Sequence, residues 1–131
     1  MIKIVRVNED CKERMITLKR YTGIQNWNVL CRWAFCISMA DKTKVPSIDK
    51  KGEVGVEMTW RVFAGDLGDI FLALLHRRCK EDEIEINEKN LNEQLWLHLH
   101  RGLGHMVANK DFKSDSSVFG KTPITLLRMT Q

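Results

Sequence analysis

The sequence predicts a mainly α-helical protein with two short strands. Apolar residues recur with helical spacing in four segments, at about residues 9–21, 27–40, 66–80 and 87–106. Residues 2–7 are instead a β-branched run, and residues 56–63 alternate between polar and apolar side chains, which is typical of strands. With 131 residues, of which 44% are hydrophobic, the chain is long enough for one domain with its own core.

The N-terminal strand at residues 2–7 leads directly into a first helix. Asn8 is a good N-cap, and acidic residues follow it in the first turn, where the helix dipole favours them. The helix is predicted to run to about Tyr21 and to end at Gly23, which can adopt the left-handed conformation of a C-cap. Its buried stripe consists of Cys11, Met15 and Leu18.

A second helix is predicted from Trp27 to about Ala40, and its side chains are apolar nearly all round. Such a helix must be buried on several sides, so we expect a second subunit to cover part of it. Arg32 is the one charged residue in the run, and we interpret it as part of an ion pair or an interface contact. The predicted oligomer-interface residues are Trp27, Leu30, Arg32 and Trp33.

A short strand followed by two helices is the order of elements in the ribbon-helix-helix module. In that module the N-terminal strands of two chains pair, and the helices build a shared core, which requires a dimer. Paired ribbons of this kind can enter the DNA major groove. Here neither face of residues 2–8 is cleanly polar, so we expect contacts to phosphates rather than to base edges.

The remainder of the chain is predicted to add a strand and two helices to this module. A long polar loop at residues 41–55 precedes the strand, and Asp66 is expected to cap the next helix. The apolar stripe of this third helix consists of Leu67, Ile70, Phe71, Leu74 and Leu75. Gly102 and Gly104 lie in the last helix and indicate a close backbone approach. We assign residues 1–108 to a single domain and residues 109–131 to a C-terminal tail.

The charge of the chain is distributed unevenly. The 21 Lys and Arg against 17 Asp and Glu give a net charge of +4. Residues 1–51 carry 11 basic and 5 acidic residues, whereas residues 52–131 carry 10 and 12, with an acidic run at 81–93. This asymmetry suggests a polyanion at one side of the protein and a basic partner at the other. On charge alone, solvated surface is the simpler interpretation, because +4 is modest for a nucleic-acid-binding protein.

The sequence contains no persuasive catalytic or metal-binding constellation. Residues 115–122 differ from a phosphate-binding Walker A loop at the first glycine, and the chain ends soon after them. The histidines lack metal-ligand spacing, and Asp66 and Asp69 are explained as residues of a first helical turn. No apolar run is long enough for a membrane span, and no signal peptide is apparent. We therefore expect a cytoplasmic protein with reduced cysteines and without a metal or cofactor.

Several segments resemble the DndE family, the small subunit of bacterial DNA phosphorothioation (DNA sulfur modification) systems. The most specific is WNVLCRWAFC at residues 27–36, preceded by LK at 18–19 and YTG at 21–23. The supporting segments are FAG at 63–65, FLALL at 71–75 and LHLHRG at 97–102. The resemblance covers about residues 2–106, and the tail beyond it has no assignable feature.

This resemblance implies a ribbon-helix-helix-like fold that assembles as a homo-oligomer, with a tetramer as the expected form. It further implies a DNA-binding role within the complex that replaces a non-bridging phosphate oxygen with sulfur, and an affinity for nicked duplex DNA. The sulfur chemistry then belongs to other subunits: a desulfurase, an ATP-pyrophosphatase-like protein and an ATPase. Lysines of the first helix are the expected DNA contacts, and Lys12 and Lys19 are the positions that match.

We therefore expect an accessory subunit, and not an enzyme, that binds duplex or nicked DNA through its phosphates. Two alternatives stay open: a DNA nickase, or a scaffold that holds the other subunits without touching DNA. The scaffold would use the acidic segment 81–93 or the surface of the second helix. The predicted DNA contacts are Lys3, Arg6, Lys12, Lys19, Arg20, Lys42 and Lys44.

Overall fold

A computed structural model describes residues 2–48 and 51–109 of the chain. The described part is mainly helical, as predicted, with a single two-stranded sheet. A 3-10 turn, Gly65–Leu67, separates the third and fourth helices. In chain order the elements are β1 (Ile4–Asn8), α1 (Glu9–Thr22), α2 (Trp27–Ala40), β2 (Val54–Thr59), α3 (Trp60–Ala64), α4 (Gly68–Glu81) and α5 (Glu88–Ala108).

The order strand, helix, helix at the N-terminus is confirmed, but the strand finds its partner within the chain. β1 pairs with β2 in antiparallel register, with Arg6 opposite Glu57. The register shifts next to Asn8, where Gly55 is the extra residue of β2. A Cβ at Gly55 would come within 2.9 Å of the backbone of residues 8 and 9, so glycine is required there.

Helix α1 has the boundaries and the buried stripe that the sequence predicts. The Asn8 side chain accepts a hydrogen bond from the Cys11 N–H at 2.9 Å, which caps the first turn. At the other end Gly23 has a φ of 75°, and its N–H donates to the Lys19 carbonyl at 3.0 Å. This left-handed residue ends the helix and turns the chain into α2.

The middle of helix α5 is buried on every side. All residues from 94 to 100 are buried, and α5 packs against α1, α2, α4, β1 and the loop that follows α2. Gly102 lies so close to Ala34 of α2 that a Cβ would overlap the Ala34 backbone. The close backbone approach that the sequence predicts is therefore confirmed at Gly102. Gly104 is different, because a Cβ there would meet only the Arg14 side chain at 3.8 Å.

Most of the apolar surface of α2 is covered within the chain. Val29, Leu30, Ala34 and Phe35 have no exposed surface, because α5, α1 and α3 pack around them. The apolar character of α2 therefore does not by itself require a second subunit, contrary to the argument made from the sequence. What remains outside includes a strip in which Cys36 and Ala40 are exposed and Trp33 and Ile37 are half-buried, which we call the outer strip of α2.

The region from β2 to α4 departs from the predicted boundaries. The strand ends at Thr59, whose hydroxyl accepts from the Val62 N–H at 3.1 Å and so starts the short helix α3. Asp66 does not cap α4, which begins at Gly68 without a side-chain cap. On α4, Phe71 and Leu75 are buried as predicted, whereas Ile70 and Leu74, also assigned to the stripe, are exposed.

The remaining predictions from the sequence concern membrane spans and the C-terminal tail. No helix in residues 2–48 or 51–109 is both long enough and apolar enough to cross a membrane. α5 ends at Ala108, and the N–H of Asn109, which follows it, donates to the His105 carbonyl at 2.9 Å. The rest of the predicted tail and the Walker-like segment 115–122 lie outside the described residues.

Candidate nucleic-acid interface

The outer face of α1 presents three of the predicted cations. Lys12 and Lys19 are seven residues apart, which places them two turns apart on one side of the helix. Both are half-buried, and Arg20 beside them is exposed. Among the described residues no carboxylate forms a salt bridge with any of the three. Their positive charges are therefore available to an external anion.

Lys19 is held in place by an aromatic ring. Its ammonium nitrogen lies 3.4 Å from the centroid of the Trp27 ring, and Trp27 is half-buried at the start of α2. A contact of this kind at an exposed site contributes about 0.5–1 kcal/mol. It orients the ammonium group while leaving its charge unneutralised by a carboxylate.

The β1–β2 ribbon offers less positive charge than the sequence suggests. Arg6 donates to the carboxylate of Glu57 on the neighbouring strand at 2.8 Å, and both side chains are about half exposed. The register of the sheet sets this pair, so the sequence of β1 alone could not reveal it. Lys3 is exposed at the beginning of the ribbon and forms no ion pair with the rest of the described chain. The outer ribbon face thus carries a neutralised pair where a base-reading face would need free donors.

Lys42 and Lys44 lie in the loop that follows α2, where Asp41 organises the backbone. The Asp41 carboxylate accepts hydrogen bonds from the Thr43 N–H at 3.0 Å and the Thr43 hydroxyl at 2.6 Å. These bonds, followed by that of His105 at 3.1 Å, hold the pKa of the Asp41 carboxyl well below its usual range. The carboxylate is thus ionised at neutral pH and fixes the turn.

Two arginines that the sequence does not mark as functional bind the backbone of this loop. Arg78 of α4 and Arg101 of α5 both donate to backbone carbonyls in and before the loop. Their side chains are only 7% and 8% exposed. The contacts join residues 35 to 63 positions apart, so no local sequence signal marks them.

Arg14 is a further exposed cation that sequence reasoning missed. It lies two residues beyond Lys12, which turns it by about 200° to the other side of α1. There it lines an open cleft of about 380 Å³ together with Arg101 and His105. The loop after α2 borders the same cleft through Val45. The predicted DNA contacts therefore form three separate groups. Lys12, Lys19 and Arg20 lie on α1, Lys3 and Arg6 lie on or next to the ribbon, and Lys42 and Lys44 lie in the loop after α2.

The histidines of α5 have structural partners. The Ser38 hydroxyl lies 2.8 Å from Nδ1 of His98, and both side chains are buried. His100 accepts from the Asn8 N–H through Nε2 at 3.3 Å, so its Nδ1 carries the proton and donates to the Trp96 carbonyl. Burial lowers the pKa of both imidazoles to about 4. In residues 2–48 and 51–109 no three His, Cys, Asp or Glu side chains come together as a metal site.

Of the predicted oligomer-interface residues, two are buried within the chain and two lie at its surface. Leu30 is fully buried among the chain's own core residues. Arg32 is 4% exposed and donates from Nε to the Phe63 carbonyl at 2.6 Å. Trp27 and Trp33 remain half-buried at the surface of α2.

The chain is similar to known proteins in sequence and in fold. The family described as DNA sulphur modification protein DndE matches residues 4–114. The crystal structure of DndE from Escherichia coli B7A, involved in DNA phosphorothioation modification, is 18% identical with a TM-score of 0.65, over 81% of this chain and 99% of that one. A glycine-to-lysine mutant of DndE, involved in DNA phosphorothioation, is 14% identical with a TM-score of 0.65, over 83% of this chain and 100% of that one. No protein of curated function matches the sequence.

Proposed function

Because the chain belongs to the DndE family, we propose that it is a DNA-binding accessory subunit of a DNA phosphorothioation complex. The observation that carries this proposal is the outer face of α1. There Lys12, Lys19 and Arg20 present positive charge that no carboxylate of the described chain neutralises by a salt bridge. The proposed ligand is duplex DNA, intact or nicked.

The proposed contacts are to phosphates. Lysine ammonium groups bind phosphate oxygens as point charges and release counterions from the DNA, which gives affinity without a choice of sequence. The ribbon supports the same view, because the charge of Arg6 is neutralised by Glu57. The alternative of a DNA nickase has no observation of this kind in its favour, since residues 2–48 and 51–109 bring no three His, Cys, Asp or Glu side chains together as a metal site.

The same proposal includes protein partners. We propose that the chain forms a homo-oligomer, with a tetramer as the expected form, and that it contacts the other subunits of the modification complex. The exposed acidic corner formed by the end of α4, the following turn and the start of α5 supports a basic protein as one of these partners. Exposed residues of this corner include Glu81, Glu83, Glu85 and Glu88.

The test is a titration of intact and nicked duplex DNA with the full-length protein at several salt concentrations. The Lys12→Ala/Lys19→Ala variant should bind more weakly, and the slope of log K against log salt should fall by about 1.8, since each lost phosphate contact removes about 0.9. The matched control is Lys80→Ala/Lys89→Ala, which removes the same charge from two exposed lysines beside the acidic corner. Equal losses in the two variants would mean that net charge, not the α1 face, determines binding.

A further inference from the structure

The loop after α2 is held by two buried guanidinium groups that come from different helices. Arg101 donates from Nη1 to the Thr43 carbonyl at 2.8 Å and from Nη2 to the Ser38 and Asp41 carbonyls at 2.9 and 3.2 Å. Arg78 donates to the Met39 carbonyl at 3.1 Å and also to the carbonyls of Asp41 and Thr43. Together they bind the last carbonyls of α2 and the backbone of the loop.

Within residues 41–45, which we call the clamped loop, anchored and exposed residues alternate. Asp41 and Thr43 are bound through their carbonyls by both arginines. Val45 is buried and packs with Trp96 and Leu97 of α5. The intervening Lys42 and Lys44 are exposed. The anchors thus fix the backbone on both sides of each lysine.

The two arginines that hold the clamped loop are neutralised by carboxylates, whereas the lysines of the loop form no such ion pairs within the described residues. Arg78 forms an ion pair with Asp82 at 3.2 Å, and Arg101 with Asp41 at 3.7 Å. Lys42 and Lys44 form no salt bridge with any carboxylate in the described part of the chain. The net charge that the clamped loop shows to solvent is therefore that of its two lysines.

We infer that Arg78 and Arg101 are positioning residues that hold the clamped loop as a preformed phosphate-binding element, with Lys42 and Lys44 as its contacts. The inference rests on the proposed DNA-binding function and deepens it with a second contact surface, on the Arg14 side of α1. A loop that is ordered before binding loses little conformational freedom when the lysines meet DNA. Arginine suits this role because its planar fork can bind several carbonyls at once, which a lysine cannot.

The experiment compares the salt dependence of DNA binding for four full-length proteins: wild type, Lys42→Ala/Lys44→Ala, Arg101→Lys, and the combination of all three changes. Lys42→Ala/Lys44→Ala should weaken binding roughly tenfold and lower the salt slope by about 1.8. Arg101→Lys keeps the net charge, yet it should lower both the affinity and the slope, because the lysines lose their fixed positions. In the combined variant Arg101→Lys should add no further loss. Arg77→Lys, an exposed substitution of the same kind on α4, is the control and should bind like wild type.

Each other result overturns the inference in a recognisable way. If Arg101→Lys weakens binding as much in the combined variant as alone, its role is general and does not act through the lysines. If Lys42→Ala/Lys44→Ala binds like wild type while Lys12→Ala/Lys19→Ala is weakened, the proposed function stands and the clamped loop has no part in it. If wild type does not bind DNA at low salt, both fail. Should circular dichroism show that Arg101→Lys is unfolded, Thr43→Ala replaces it, since this exposed hydroxyl bonds both Asp41 and Arg101.

Discussion

At the scale of single residues, Asn8 and His100 join the N-terminal module to the central helix. Asn8 caps α1 with its side-chain oxygen and donates from Nδ2 to the Lys51 carbonyl at 3.0 Å. Its backbone N–H donates to Nε2 of His100, which must be neutral to accept it. Protonation of His100 would place a second donor against that N–H. The junction of β1, α1 and α5 therefore depends on an uncharged imidazole.

This dependence gives an expected pH profile. The pKa of His98 and of His100 falls from 6.5 to about 4 on folding, so below about pH 6.5 the unfolded chain binds protons that the folded chain does not. The free energy of unfolding should fall as the pH drops from about 6.5 to about 4, by at most about 1.4 kcal/mol per pH unit for each histidine. Below pH 4 this contribution should be constant.

Chemical denaturation of wild type and His100→Gln across this range measures the effect. His100→Gln removes one titrating group, so its loss of stability between pH 6.5 and pH 4 should be shallower than that of wild type, whatever its stability at neutral pH. His105→Gln serves as the control, because that ring is exposed beside Asp41. Parallel profiles for wild type and His100→Gln would show that this imidazole does not couple folding to pH.

At the scale of elements, the crossing of α2 and α5 depends on one glycine. A Cβ at Gly102 would overlap the Ala34 backbone, and backbone cannot move aside as a side chain can. Gly102→Ala should therefore force the helices apart and cost about 3 kcal/mol of stability, the upper range for overpacked cores. Gly104→Ala in the same helix should be neutral or stabilising by up to about 1 kcal/mol, because alanine is the better helix former.

Urea denaturation of the two variants separates packing from helix propensity. Both substitutions change propensity in the same direction, so the difference between them reports the contact with Ala34 alone. A Gly102→Ala variant as stable as Gly104→Ala would mean that α2 and α5 do not approach as closely as the structure has them.

The elements also show how far sequence reasoning reaches. The sequence predicts helix α1 with its cap, its stripe and its end, since Asn8 and Gly23 act locally. It also predicts the N-terminal strand, but not its pairing with β2, which joins residues about 50 positions apart. Alternation continues past Thr59 and so predicts a strand residue there, whereas in the structure its hydroxyl starts α3. The burial of residues 94–100 of α5 on all sides results from tertiary packing, and the spacing of apolar residues in the sequence does not predict it.

The candidate site shows the same division. The exposed cations of α1 and of the loop could be found from the sequence, since charge and helical position suffice. The Arg6–Glu57 pair could not, because it needs the sheet register. The roles of Arg78 and Arg101 cannot be predicted from the sequence, because each binds carbonyls far away in the chain. Residue type predicts which side chains carry charge, and only the fold shows which charges remain available.

At the scale of the whole molecule, family membership confirms the resemblance that the segments of residues 2–106 indicated. The exposed charges of the described residues include two groups: cations on α1 and the clamped loop, and the acidic corner where α4 meets α5. Two such groups suit a subunit that binds DNA through its cations and a basic protein through its acidic corner. The outer strip of α2 belongs to neither group, and we propose that copies of the chain contact one another there.

A light-scattering measurement of mass tests the assignment of this strip. Cys36 is exposed on α2, one turn from Trp33, so Cys36→Glu places a charge there without disturbing the core. If Trp33 and its surroundings lie in an interface between subunits, a buried unpaired carboxylate should dissociate the oligomer, because desolvating it costs several kcal/mol. Ala73→Glu on the exposed side of α4 is the matched control and should leave the mass unchanged. An oligomer that persists in Cys36→Glu but dissociates in Ala73→Glu would move the interface from α2 to the exposed apolar residues of α4, Ile70 and Leu74.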